Sequence, residues 1–144
     1  MSERPVMLDC ALATIDRGFP VFPVCWPNGT NACGCGRNHQ GRDISKVPMT
    51  KHGLKDATLD KDLATRYWQY WPSANIGITI PEGHFVLDID VGHGGFKSLE
   101  KMQSDHGNLP HTLCALTGGG GAHQWFKADG IRNTVALADR KSVV

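Results

Sequence analysis

Apolar residues recur along this chain at two periods, and the places where the period changes mark its elements. Leu8, Leu12 and Ile15 follow one another at helical spacing, with Ala11 beside them and Asp9, Thr14 and Asp16 as polar positions. Pro5 suits the first turn of such a helix and Gly18 its C-terminal cap, so a helix is predicted within residues 5–18. Val21, Phe22 and Val24 form a short strand, expected at a sheet edge because Pro23 cannot donate to a ladder. Residues 26–55 are dense in Gly, Asn, Pro and Lys and read as a long loop, a length that is usually functional or disordered. Thr58 or Asp60 caps a second helix reaching Trp71, with Leu63, Tyr67 and Trp71 as a core-facing stripe ended by Pro72.

The second half changes to period two. Residues 75–80 read as a strand and Pro81-Glu82-Gly83 as a turn, with residues 85–91 as the hairpin partner. Gly94 and Gly95 lead into a third helix carrying Phe96, Leu99 and Met102 and closed by Gly107. Residues 112–116 and 122–127 are further strands, and the tail beyond has no clear pattern. Helices and strands interleave irregularly with hairpin-like neighbours, which favours an α+β fold with a largely antiparallel sheet and flanking helices. At 144 residues the chain reads as a single domain over 1–144, able to bury about two-thirds of its extended-chain surface.

Two aspartates interrupt the apolar strand. Strict alternation in Phe85-Val86-Leu87-Asp88-Ile89-Asp90-Val91 puts Phe85, Leu87, Ile89 and Val91 on one face and Asp88 and Asp90 on the other, about 7 Å apart. Two like charges on one strand face repel unless a cation sits between them. Hard Mg²⁺ or Mn²⁺ suits such oxygen ligands, and paired ions held by shared carboxylates serve phosphoryl transfer. The alternative is cross-strand ion pairing with Lys or Arg on a neighbouring strand. Gly118, Gly119, Gly120 and Gly121 remove side chains just before the last strand, so backbone N–H groups can approach a phosphate or base. His123, Trp125 and Lys127 then share one face, a polar and aromatic set suited to triphosphate or base contact. Alone, the glycines also suit a plain hairpin loop and His123 a surface imidazole.

A net charge of +1 and a pI near 7.7 exclude the strongly basic field of a non-specific nucleic-acid binder, so any such contact must be a local patch. No run approaches eighteen apolar residues, and Met1 to Pro5 lack the apolar core of a signal peptide; a cytoplasmic protein is expected. Five cysteines, an odd number unevenly spaced, point to reduced thiols or metal ligands rather than a disulfide framework. Cys25, Cys33, Cys35 and His39 have the number and kind of donors for tetrahedral Zn²⁺, although the one-residue gap between Cys33 and Cys35 is shorter than usual. Cys10 and Cys114 read as small buried hydrophobes.

Taken in order, these motifs resemble a known family. They are Gly18-Phe19-Pro20-Val21-Phe22-Pro23, Lys46-Val47-Pro48, residues 52–58, Trp68 to Pro72 with Asn75-Ile76-Gly77, and the aspartate strand. Gly94 to Glu100, Leu109-Pro110-His111-Thr112 and Thr117 to His123 complete the set. Together, over about residues 8 to 133, they resemble the N-terminal domain of bifunctional DNA primase/polymerases, the prim-pol branch of the archaeo-eukaryotic primase superfamily. The resemblance implies a nucleotidyltransferase that uses two divalent ions to join nucleoside triphosphates on a DNA template, in replication of a mobile element or phage. It also implies a helicase domain in the full-length protein. Asp88 and Asp90 match its first metal-binding motif, His123 its phosphate-contacting histidine and Gly118 to Gly121 its nucleotide-side loop. Lys46 and Arg132 resemble recurrent basic positions, read as phosphate contacts or else as solvated charge. Some members carry a cysteine-rich insertion where Cys33 and Cys35 lie, which supports zinc, while His39-Gln40 stands where a further cysteine is usual.

One departure stands out. The family's third metal-binding acid lies on a later strand in an Asp-x-Arg-Gly context, and Asp139-Arg140 is a poor substitute. The resemblance therefore implies an incomplete, C-terminally truncated or frameshifted domain with weak or no polymerase activity. Two rival readings remain: a metal-dependent nucleotide-sugar glycosyltransferase, which also uses Asp-x-Asp, and a zinc-stabilised nucleic-acid-binding module.

Overall fold

The computed structural model describes residues 6–29 and 32–130. The fold is α+β, with three α-helices and two small sheets whose pairings are all antiparallel among the described residues. The chain divides into two compact units, Met1–Pro81 and Glu82–Val144. No helix among the described residues is long and apolar enough to cross a membrane.

In the first unit, α1 (Val6–Asp16) and α2 (Lys61–Tyr70) pack on each other and on a two-stranded sheet of β1 (Val21–Val24) and β2 (Asn75–Ile78). Leu8, Ala11 and Ile15 line the buried stripe of α1, and Leu12 packs at its margin. Gly18 ends the helix as expected: its φ is +89°, and its N–H donates to the Ile15 carbonyl at 2.8 Å. Asp60 caps α2, its carboxylate accepting from the N–H groups of Asp62 and Leu63 at 2.9 and 3.4 Å. The buried face of α2 differs from the expected stripe. Ala64 and Trp68 reach the core, Tyr67 and the C-cap residue Trp71 pack at its margin, and Leu63 is half-buried outside it. Trp68 is fully buried and its indole N–H donates to the Ala74 carbonyl at 3.0 Å, so its polar edge is satisfied inside the apolar cluster.

β2 pairs with β1, not with the aspartate strand. Phe22 stands opposite Gly77, where a side chain would overlap the Phe22 ring. The aromatic ring thus covers the glycine backbone. β1 is the edge of this sheet in ladder terms but fully buried. Its free side takes isolated bridges from Thr58 and Pro48, and Pro23 contributes its carbonyl to Met49 N–H at 2.9 Å.

In the second unit the strands β3 (His84–Ile89), β4 (Cys114–Leu116) and β5 (Ala122–Lys127) form a sheet in the order β3-β5-β4, and α3 (Gly95–His106) packs on β3. Phe85 and Phe126 are cross-strand partners with stacked rings 5.3 Å apart. α3 begins after Gly94, whose φ is +67°, and Gly95 lies so close to the strand end that a Cβ would sit 2.6 Å from the Asp90 carbonyl. The paired glycines thus serve two separate needs, a left-handed turn and a close approach. β4 is an exposed edge strand, which corrects the buried reading of Cys114; Cys10 is exposed as well, on the outer face of α1.

Candidate functional site

Asp88 and His123 meet across two strands. They are register partners on β3 and β5, and His123 Nε2 lies 3.4 Å from Asp88 Oδ1. Alternation gives their face of the sheet His84, Val86, Lys127 and Trp125 as well, and the His123 and Trp125 rings meet edge to face at 5.9 Å. The polar and aromatic face expected on β5 is therefore present, with Asp88 set into it. Both aspartate side chains are well exposed, 68% for Asp88 and 61% for Asp90.

Asp90 departs from the expected strand. β3 ends at Ile89, and Asp90 caps a 3-10 turn at Val91–His93 instead of extending the ladder. Its Oδ1 accepts from Gly92 N–H at 2.9 Å, and its Oδ2 lies 2.9 Å from His93 Nδ1. The His93 ring, then the Gly92 N–H, hold the Asp90 carboxyl below its ordinary value of 3.8. Each Asp90 oxygen keeps a free lone pair, so this carboxylate offers the hard oxygen donors that Mg²⁺ or Mn²⁺ takes. Sequence reasoning missed His93; the Asp-x-x-His spacing at the end of an apolar run was the available signal.

The glycine segment is the β4–β5 turn, and its four residues are not equivalent. Thr117 closes the turn: its N–H donates to the Gly121 carbonyl at 2.9 Å, and its Oγ1 accepts from Gly121 N–H at 3.0 Å. Gly120 has φ +89°, and a side chain on Gly121 would overlap the Ile89 carbonyl. Gly118 and Gly119 have open space where a Cβ would be, and neither has a positive φ. Two glycines are thus required by the fold and two are not.

The first unit brings together the other predicted donors. Cys25, Cys33, Cys35 and His39 present ligand atoms all within 4.8 Å of one another, the one such group of three or more among the described residues. A zinc tetrahedron with Zn–S bonds of about 2.3 Å has edges of about 3.8 Å, so the donors fit with small adjustments. The short Cys33-Gly34-Cys35 spacing has a physical reason. Gly34 N–H donates to the Trp26 carbonyl at 2.7 Å, and the Trp26 indole occupies the space a Gly34 side chain would need. Burial acts to raise the Cys33 thiol, but the Cys35 backbone N–H and side-chain hydrogen bonds from His39, Cys35 and Cys25 outweigh it and bring it to about 6. Cys35, whose burial and thiolate neighbours act upward, is raised. Lys46 is exposed and precedes Val47, whose N–H donates to Cys25 Sγ at 3.2 Å, and Arg132 lies outside the described residues, as do Asp139 and Arg140.

The family model described as "Prim-Pol: Bifunctional DNA primase/polymerase, N-terminal" matches residues 11–143. The chain belongs to that family. No curated protein and no solved structure matches it. As a Prim-Pol domain it is a primase/polymerase-type nucleotidyltransferase domain, a class that acts on DNA and nucleotides and uses divalent metals. The Prim-Pol match includes β3, the glycine turn and β5, so the Asp88–His123 pair lies within the matched segment.

Proposed function

We propose that this Prim-Pol domain binds nucleoside triphosphates for joining on a DNA template, with Asp88 and Asp90 holding Mg²⁺ or Mn²⁺ and His123 contacting the phosphates of the incoming nucleotide, and that its joining activity is weak because Asp139-Arg140 is a poor match to the family's third acidic ligand. The observation that carries this reading is the register match of Asp88 with His123 in a chain of this family. Divalent ions held by the Asp88 and Asp90 carboxylates would supply Lewis-acid activation of an attacking hydroxyl and charge neutralisation for a leaving pyrophosphate. His123, one strand away, offers a ring N–H to phosphate oxygens at the same sheet end. Gly118 and Gly119 bare the turn backbone, so that N–H groups rather than side chains face the nucleotide. Gly92 and His93 fix the Asp90 carboxylate, as partners of metal-binding carboxylates do. Lys46 and Arg132 take the role of phosphate contacts.

The same reading gives Cys25, Cys33, Cys35 and His39 a structural Zn²⁺, supported by their convergence and by the mix of sulfur and nitrogen donors. Family membership favours nucleotidyl transfer over the nucleotide-sugar alternative that shares the Asp-x-Asp pattern. Photocrosslinking with an azido-deoxynucleoside triphosphate tests the reading. The expected label falls on residues 118–127, requires Mn²⁺ and disappears with Asp88→Asn; labelling indifferent to both metal and Asp88 overturns it.

A further inference from the structure

We infer that the Cys25/Cys33/Cys35/His39 cluster is a positioning device for Lys46, so that metal bound there governs a phosphate contact made by Lys46. The inference rests on the zinc reading above and on the phosphate role given to Lys46. Cys25 is fully buried at the end of β1, and its backbone is fixed by Asn75, whose side-chain amide donates to the Cys25 carbonyl at 3.2 Å. Its sulfur faces the segment that carries Lys46.

Three contacts tie that segment to Cys25. Cys25 N–H donates to the Val47 carbonyl at 2.8 Å, Val47 N–H donates to Cys25 Sγ at 3.2 Å, and Val24 bridges to Pro48. On the other side, the Lys46 N–H donates to the Asp43 carbonyl at 3.3 Å. Ser45 has φ +67°, the one positive φ at a non-glycine among the described residues. Such a conformation is costly for a side-chain-bearing residue and persists only where its surroundings impose it, a pattern that clusters at ligand clamps and active sites. Lys46 therefore leaves the surface from a backbone fixed on both sides, while its own side chain is exposed.

Zinc bears on this arrangement through one atom. A thiolate is a stronger acceptor than a thiol, so metal at Cys25 strengthens the Val47 N–H···S bond. Binding also joins Cys25 to Cys33, Cys35 and His39 in residues 33–39, leading into the chain that reaches Lys46. Without metal, the Val47 hydrogen bond and the Ser45 conformation lose that support. A phosphate then meets a lysine with more freedom to lose on binding. The chemistry recognised is the phosphate oxygen, supplied either by a triphosphate or by a DNA strand.

The test uses the full chain with its zinc content measured, inorganic triphosphate and a single-stranded deoxyoligonucleotide as separate probes, and hydrogen exchange. In zinc-loaded protein, Lys46→Ala is expected to weaken one probe about tenfold, and Lys46→Arg to recover most of the loss. Cys35→Ser, which empties the site but leaves Cys25, is expected to weaken the same probe by the same factor and to add nothing in the Lys46→Ala background. The Val47 amide should exchange faster in Cys35→Ser, while amides around Trp68 keep their protection. The probe affected identifies the phosphate source. Losses that multiply, or a Cys35→Ser protein that binds both probes normally, overturn the inference while leaving the zinc reading intact. Protein that takes up no zinc overturns both.

Discussion

Asp88 on β3 faces His123 on β5 directly across the ladder, Oδ1 to Nε2 3.4 Å, so a carboxylate able to hold a cation and an imidazole able to meet a phosphate share one end of a sheet. Neither residue is near the other in sequence. Their meeting depends on β5 passing close against the end of β3, and the glycine turn makes that approach possible.

Gly121 and Gly119 should therefore respond oppositely to substitution. Gly121→Ala would overlap the Ile89 carbonyl and is expected to destabilise the second unit by about 1–3 kcal/mol. Gly119→Ala meets open space and should unfold with the wild-type denaturant midpoint, yet weaken nucleoside triphosphate binding by about tenfold if the bare turn faces phosphate. Urea unfolding and nucleotide titration of both variants check the pair. Equal destabilisation by the two contradicts the division of roles.

In the first unit, stability should rank by burial. Trp68→Ala removes the largest fully buried side chain and its bond to the Ala74 carbonyl, for an expected loss of about 3–5 kcal/mol. Asp60→Ala removes only the α2 cap, for about 1 kcal/mol. Chemical denaturation followed by tryptophan fluorescence gives both values, and a cap loss as large as the core loss would contradict this packing.

Acid and alkali should act on one small turn. The Asp56 carboxylate accepts from His52 N–H at 2.8 Å, and that bond, followed by the His52 ring, holds its carboxyl below the ordinary 3.8. A lowered value means the folded state favours the ionised form, so the contribution is present at neutral pH and lost as pH falls through the lowered value. Tyr67 behaves in the opposite sense. Burial, then the charge of Asp56, raise it above 10.0, and its hydroxyl donates to the Asp56 carbonyl at 2.9 Å. Its contribution is full below the unfolded value of 10.0 and disappears as pH rises through the folded one. Ultraviolet titration should show Tyr67 ionising above 10.0 and shifting downward in Asp56→Asn; an unchanged Tyr67 contradicts the coupling.

The sequence made the helices and the chemistry legible more readily than the sheet. Helix periods, the Gly18 cap and the Asp60 cap are local, and each is found at the position its chemistry demands. Pairing is not local. Pro81-Glu82-Gly83 looked like a hairpin turn between two apolar runs, but the buried edge of β1 takes β2, and β3 pairs with a strand over thirty residues later. Asp90 misled for a related reason: Val91 continues the apolar alternation, which masks the Asp-x-x-His spacing by which Asp90 caps its own 3-10 turn. In α2, helical spacing alone could not separate the Leu63–Tyr67 row from the Ala64–Trp68 row, because both are apolar at the same period. The cysteine–histidine cluster was legible by residue type, whereas its unusual spacing made sense only once Trp26 was seen lying on Gly34.

The central claim is that Asp88 and His123 form a metal-dependent nucleotide site, and calorimetric titration of a deoxynucleoside triphosphate into the domain, with and without Mn²⁺, tests it most directly. The predicted result is binding that requires Mn²⁺, is lost in Asp88→Asn, and weakens by about 10- to 100-fold in His123→Ala while both variants keep the wild-type unfolding midpoint. Binding of equal affinity in wild type and Asp88→Asn, or binding that needs no divalent ion, would contradict it.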